Sequence, residues 1–140
     1  GRAGSEGTVR KELIKLVGEF EGRGVAVASF ASNVARLESI MIAAKENQRS
    51  VCLVGRSMRR MVGAARSVGL LSGIPAMIDE DDAKNMPSGH VLYLCTGSQG
   101  EGRAALSKIA NGERRSVKFH KGDVVIFSSK VIPGNEKTIF

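Results

Sequence analysis

Apolar residues along this chain fall into two kinds of segment that alternate. Residues 8–21 place Val9, Leu13, Leu16, Val17 and Phe20 on one face at helical spacing, and Gly22 and Gly24 are expected to stop that helix. Val25 to Phe30 is apolar without alternation, the pattern of a strand covered on both faces. Ser32 is expected to cap a helix that turns Val34, Leu37, Ile40, Met41 and Ala44 inward. Ser50 to Val54 reads as a second buried strand closed by Gly55. Ser57 then caps a helix with Met58, Met61, Val62 and Ala65 inward, ended by Gly69. Residues 69–89 hold Pro75, Pro87 and the acidic run Asp79 to Asp82, and read as a surface connection with a short strand around Met77. Val91 to Cys95 is a third buried strand, entering the loop Thr96 to Gly102. A helix follows from about Arg103 to Ala110, stopped by Asn111 and Gly112. Val117 and Phe119 suggest a short strand before the turn Lys121-Gly122-Asp123, and Val124 to Ser128 is a fourth buried strand. Ile132 to Glu136 reads as a turn opening a helix that the chain end cuts short. Apolar strands separated by helices imply right-handed crossovers, so the fold class is three-layer α/β, a mostly parallel sheet flanked by helices.

Composition narrows this picture. The 140 residues suit one domain, and 42% hydrophobic against 25% charged residues marks a globular chain rather than a disordered one. With only 4% aromatic residues and no Trp, the core must be aliphatic. No apolar run approaches the roughly 18 residues of a membrane-spanning helix, so no membrane partner is expected. The chain begins at Gly1 with no charged-then-apolar leader, so no signal peptide is expected, and the absent Met suggests an excised fragment or a processed chain. The net charge of +7 favours polyanionic partners, nucleic acid first. Cys52 and Cys95 lie inside apolar runs and read as buried, reduced thiols of a cytoplasmic protein.

In a parallel sheet, ligands bind beyond the carboxyl ends of the strands. Four segments fall there: Ser29 to Asn33, Gly55 to Ser57, Thr96 to Gly102, and Ser128 to Asn135. Their Gly, Ser and Asn content lets backbone amides and helix N-termini approach a phosphate. Short strand-to-helix loops need the same residues for turns and caps, so both readings stay open. Gly97, Gly100 and Gly102 lack the dinucleotide spacing, and there is no Walker lysine. Arginine is concentrated at Arg49, Arg56, Arg59, Arg60 and Arg66, and a second basic stretch holds Arg103, Lys108, Arg114, Arg115, Lys118 and Lys121. Phosphate-backbone contact and a solvated helix face both fit such residues; Arg56 stands apart because it directly follows a strand. His90 and His120 are isolated, Asp79 to Asp82 reads as an exposed acidic loop, and Ser98 and Ser128 have no base nearby in sequence. Met58 and Met61 read as core. No catalytic residue and no metal ligand is assigned within the chain.

Several strings together resemble one known family, the bacterial ribonucleases J. They are Phe30-Ala31-Ser32-Asn33-Val34-Ala35-Arg36, Val54-Gly55-Arg56-Ser57-Met58, Leu94-Cys95-Thr96-Gly97-Ser98-Gln99-Gly100-Glu101, Ala105 to Ala110, Gly122 to Ser129, and Ile132-Pro133-Gly134-Asn135-Glu136. Their order and spacing also match. The part resembled is the Rossmann-like β-CASP domain, which that family inserts into a metallo-β-lactamase-type catalytic domain.

The resemblance implies a parent that is a cytoplasmic, zinc-dependent ribonuclease with 5′–3′ exonuclease and endonuclease action in RNA maturation and decay. Its substrate would be single-stranded RNA, preferably 5′-monophosphorylated. Its partner would be the catalytic domain of the same chain, and the parent is open to homo-oligomerisation. The family's His-x-His-x-Asp-His metal motif is absent from this segment, so the zinc is expected in the catalytic domain and the segment alone is expected to be inactive. The positions carried over to the RNA cleft are Ser32, Asn33, Arg56, Ser57, Thr96, Gly97, Ser98, Gln99, Gly100, Glu101, Ser128 and Ser129. Three places depart from the family pattern: Gly102 replaces a proline, Lys130-Val131 stands where Pro-Ser or a similar pair is usual, and His120-Lys121 replaces a pair ending in proline. Gly102 would loosen the loop exit and Lys130-Val131 would alter the interdomain turn; none of the three touches the catalytic metals. Two other readings remain beside the clamp: an independent α/β domain for a small phosphorylated ligand or nucleotide, and an oligomerisation scaffold.

Overall fold

The computed structural model describes residues 2–96, 122–128 and 137–139. Helix α1 (Arg2–Gly18) leads into strand β1 (Val25–Ser29), helix α2 (Val34–Glu46), strand β2 (Ser50–Val54) and helix α3 (Arg56–Ser67). After a connection come the two-residue strand β3 (Met77–Ile78), the single-turn helix α4 (Glu80–Ala83), a 3-10 turn at Ser88–His90, and strand β4 (Val91–Thr96). Strands β5 (Val124–Phe127) and β6 (Lys137–Ile139) complete a six-stranded sheet of order β3-β2-β4-β1-β5-β6. The first five strands are parallel and β6 is antiparallel.

Both faces of the sheet are apolar, which is why its strands show no hydrophobic alternation. Val25, Val27, Val51, Leu92, Leu94, Val124 and Ile126 pack against Leu13, Leu16 and Val17 of α1, Leu37, Ile40 and Met41 of α2, and Met58, Val62 and Ala65 of α3. The intervening residues Ala26, Ala28, Cys52, Val54, Val91, Tyr93, Cys95, Val125 and Phe127 form the second face, with Ala83 of α4 and with Ile78 and Met86 beside it. Successive strand side chains point to opposite faces, so each strand feeds both layers. The result is the three-layer α/β fold.

The inward faces of α2 and α3 agree with the sequence pattern, and Cys52 and Cys95 are buried thiols outside any disulfide. Other local expectations shift. Helix α1 starts at Arg2 and ends at Gly18, and a turn carries the chain on to Arg23, with Phe20 N–H donating to Val17 O at 3.1 Å and Arg23 N–H to Phe20 O at 3.0 Å. The acidic run is a short helix rather than a loop: the Asp79 carboxylate accepts the Asp82 amide at 2.7 Å, and Glu80, Asp81 and Asp82 fill the first turn, where the helix dipole favours negative charge. At the chain end, Lys137–Ile139 is a strand and not a helix. Its Thr and Ile suit extended backbone, and β5 offers a hydrogen-bonding edge that pairs Val124 with Ile139 and Ile126 with Lys137. The expected helix at 103–110, the strand at 117–119 and the turn at 132–136 lie outside the described residues.

The amino edge of the sheet is locked by two buried polar groups. Asp123 accepts the Gly24 amide at 2.9 Å, across the chain between β1 and β5. Arg49, 2% exposed, donates to Phe20 O at 2.8 Å, Val91 O at 2.8 Å and Ser88 O at 3.3 Å. Burial pushes the Arg49 pKa down, partly offset by Asp123. Arg49 therefore leaves the candidate basic patch: it is structural, and it sits before β2, at the opposite end of the sheet from the strands' carboxyl termini.

Candidate nucleic-acid interface

The register brings the strand ends together. Ser29 at the end of β1 pairs with Thr96 at the end of β4, Ala28 with Phe127 of β5, and Val54 of β2 with Cys95. Four segments therefore start from one edge. The chain leaves β1 toward β2 on one side and leaves β4 toward β5 on the other, so the strand order reverses between β1 and β4. Crevices of doubly wound sheets form at such a reversal.

Phe30 to Asn33 follows β1. The Asn33 amide donates to Phe30 O at 3.2 Å, closing a tight turn, and the Asn33 carboxamide oxygen accepts the Arg36 amide at 3.0 Å. Asn33, not Ser32, is thus the cap of α2; both side chains are competent, and the helix begins one residue later than the pattern suggested. Ser32 is exposed. Gly55 alone joins β2 to α3, at φ +98° and ψ 149°, a conformation open to glycine. Because α3 begins at Arg56, Ser57 lies inside the first turn and does not cap it. No side chain caps this N-terminus, and Arg56 and Ser57 are both exposed beside it. Thr96 is half-buried at the reversal point. Ser128 is 1% exposed, and its hydroxyl donates to Ala28 O at 3.0 Å, so this group ties β5 to β1 rather than facing solvent. Gly97, Ser98, Gln99, Gly100, Glu101 and Ser129 lie outside the described residues, as do the basic positions from Arg103 to Lys121.

Two residues at this edge escaped the sequence-based list. Phe30 is 48% exposed although it closes a buried run, so an aromatic face is offered next to Ser32 and Asn33. Burial stops with Ser29, a boundary that the apolar run itself does not show. Arg36 lies three residues after the cap, and its guanidinium donates to Ser128 O and to both carboxylate oxygens of Glu6 at 3.3 Å.

Charge is distributed unevenly along the edge. Arg56, Arg59 and Arg60 are exposed on the first turns of α3, and Arg59 also pairs with Glu80 at 3.4 Å. Leu53, Arg59, Met77, Ile78, Asp79, Glu80 and Asp81 line a cleft of about 500 Å³ beside them. Amides, arginines and an exposed ring can hold an anionic, base-bearing ligand. They supply neither a general base nor a nucleophile. Among the described residues no three His, Cys, Asp or Glu side chains come together as a metal centre. Among the described residues the donor set does not fit zinc. Among the described residues no helix is long and apolar enough to cross a membrane.

Known proteins are similar to this chain. The family model of the β-CASP domain of ribonuclease J matches residues 21–140. Ribonuclease J of Sinorhizobium meliloti is 47% identical over 139 residues, covering 99% of this chain and 24% of that protein. Ribonuclease J of Mycolicibacterium smegmatis is 43% identical over 146 residues, covering 100% and 25% respectively. Ribonuclease J 1 of Streptococcus pyogenes is 40% identical over 137 residues, covering 96% and 24%. The chain spans about a quarter of the length of these curated relatives.

Proposed function

Because the chain belongs to the β-CASP domain family of ribonuclease J, we propose that it is the single domain that clamps RNA for a longer, metal-dependent ribonuclease. The substrate in this reading is single-stranded RNA with a 5′-monophosphate. Zinc and the attacking water belong to a metallo-β-lactamase-type domain of the same protein, which acts as a 5′–3′ exo- and endoribonuclease in RNA maturation and decay. The parent is cytoplasmic.

The observation that carries this reading is the gathering of the ends of β1, β2, β4 and β5 on one edge of the sheet, with Arg56 and an uncapped helix N-terminus beside them. Backbone amides and arginines neutralise phosphates without reading sequence. Ser32, Asn33, Ser57 and Thr96 add polar contacts, and the Phe30 ring supplies one stacking surface of a kind that tolerates any base. Ser128 holds the strand end, and Gly97 to Glu101 and Ser129 directly follow Thr96 and Ser128 in sequence.

The test uses the 140-residue chain with 5′-monophosphorylated single-stranded RNA, with and without zinc or manganese, from about 50 to 200 mM salt. Binding that weakens steeply with salt, without cleavage, is the expected result. Cleavage by the chain would overturn the assignment of the metals to another domain. Tight, salt-insensitive binding of a mononucleotide would instead favour a small-ligand domain, and a stable dimer without RNA affinity would favour a scaffold.

A further inference from the structure

Arg36 sits where two of the converging segments meet. Its backbone amide donates to the Asn33 side chain, which closes the loop after β1. Its guanidinium donates to Ser128 O, at the exit of β5. One residue therefore ties the first loop of the interface to the end of β5, the last of the parallel strands. The opposite side of the guanidinium is held by Glu6 of α1, a helix that precedes the family-matched span. Glu6 is itself fixed: its carboxylate accepts the Ser39 hydroxyl at 2.7 Å, Ser39 accepts Arg10 Nε at 3.2 Å, and Arg10 pairs with Glu38 at 3.0 Å. Ser39 is fully buried, so this junction of α1 and α2 is packed as well as hydrogen-bonded.

The accessibility of Arg36 separates its role from that of Arg56. Its side chain is only 17% exposed and its charge is balanced by Glu6, whereas Arg56 is exposed beside the uncapped helix. A guanidinium is a rigid fork of donors, suited to bridging two fixed acceptors. A lysine has one ammonium and cannot hold both at this geometry.

We propose that Arg36 is a positioning residue of the RNA edge, aimed by Glu6 of α1, which holds the loop after β1 and the exit of β5 in mutual register. This rests on the proposed RNA-binding function. Helix α1 then does more than cover one face of the sheet: it sets the geometry of the interface.

The experiment compares wild type, Arg36→Ala, Arg36→Lys, Glu6→Ala and the Glu6→Ala/Arg36→Ala double variant of the 140-residue chain. Binding of a 5′-monophosphorylated oligoadenylate is followed across salt concentration, and amide hydrogen exchange beside Ser128 is measured without RNA. Arg36→Ala and Arg36→Lys are each expected to weaken binding by roughly tenfold with the salt slope unchanged. Glu6→Ala weakens it by roughly threefold although it removes a negative charge, and the double variant is no weaker than Arg36→Ala. Exchange beside Ser128 quickens in all four variants. A salt slope lower by about one in Arg36→Ala would mark a direct phosphate contact and overturn the proposal. Tighter binding by Glu6→Ala, full rescue by Arg36→Lys, or unchanged exchange would also overturn it. If wild type fails to bind RNA, the functional reading fails, and the exchange rates alone decide the positioning role. Thermal melting of each variant identifies any that fails to fold, and the Glu6→Ala arm then carries the test.

Discussion

Tyr93 lies in β4 on the second face of the sheet, and burial, ahead of the nearby Cys52, Asp123 and Glu80, pushes its pKa up to about 12. In the unfolded chain the phenol titrates at its ordinary value of 10.0. Below that pH it is neutral in both states and folding is unaffected. As pH rises from 10.0 toward 12 the unfolded chain ionises first, so stability falls by up to about 1.4 kcal/mol per pH unit. Tyr93 is the sole tyrosine and there is no Trp, so the near-ultraviolet phenolate absorbance reports it alone. That absorbance is expected to rise well above pH 10.0, and Tyr93→Phe should flatten the alkaline loss of stability. A titration at the ordinary value would show that the phenol is not buried. Gly55 offers a second test at this scale. A Cβ there would meet nothing within 4 Å, but φ is +98°, so Gly55→Ala costs backbone strain alone, about 1–3 kcal/mol by denaturant unfolding. Gly24 differs: its Cβ would come within 2.7 Å of Asp123, so Gly24→Ala must displace the buried carboxylate that accepts its amide. The glycine at 55 was legible in the sequence as the end of a strand. The glycine at 24 read only as a helix stop, because nothing nearby in sequence announces a carboxylate ninety-nine residues away.

Helices and strands are held by contacts of both kinds, local and distant. The inward faces of α2 and α3 follow from spacing alone, since Leu37, Ile40 and Met41, and Met58, Val62 and Ala65, recur at helical intervals. Their caps do not: Ser32 and Asn33 are both good cap residues, and a shift of one position decides between them. The role of Arg49 could not be read either, because a basic residue among arginines looks like a surface charge until Phe20, Ser88 and Val91 are brought around it. Arg49→Met is expected to lower unfolding free energy by about 3 kcal/mol in urea, since it removes the donor shared by three backbone carbonyls, two of them in buried hydrogen bonds. An exposed arginine such as Arg66 changed to Met should cost within about 0.5 kcal/mol. Strand β6 makes the same point at the sheet edge. Its Thr and Ile favour extended backbone, and the open side of β5 supplies the pairing partner.

At the scale of the whole molecule, the parallel register gathers loops that are far apart in sequence onto one edge, while the amino edge carries the structural polar groups Asp123 and Arg49. Under the proposed function, exposed Arg56 and buried Arg49 should therefore respond differently to substitution. Arg56→Ala is expected to leave thermal unfolding nearly unchanged and to weaken RNA binding uniformly across sequences. Its salt slope should fall by about one, as for the loss of one phosphate contact. Arg49→Met should do the reverse: a lower melting temperature, with the salt slope of the folded fraction retained. An unchanged slope in Arg56→Ala would remove that residue from the interface.

By itself the sequence determined the layer architecture, the buried strands, the inward helix faces and the family. These depend on periodicity and on strings of neighbouring residues, both of which are local properties. The tertiary structure decided which arginines are structural, which residue caps α2, the strand at the chain end and the link from Glu6 through Arg36 to Ser128. Each of these depends on which groups distant segments place within hydrogen-bonding reach, and on which are removed from water in doing so. Neither quantity exists until the sheet has assembled.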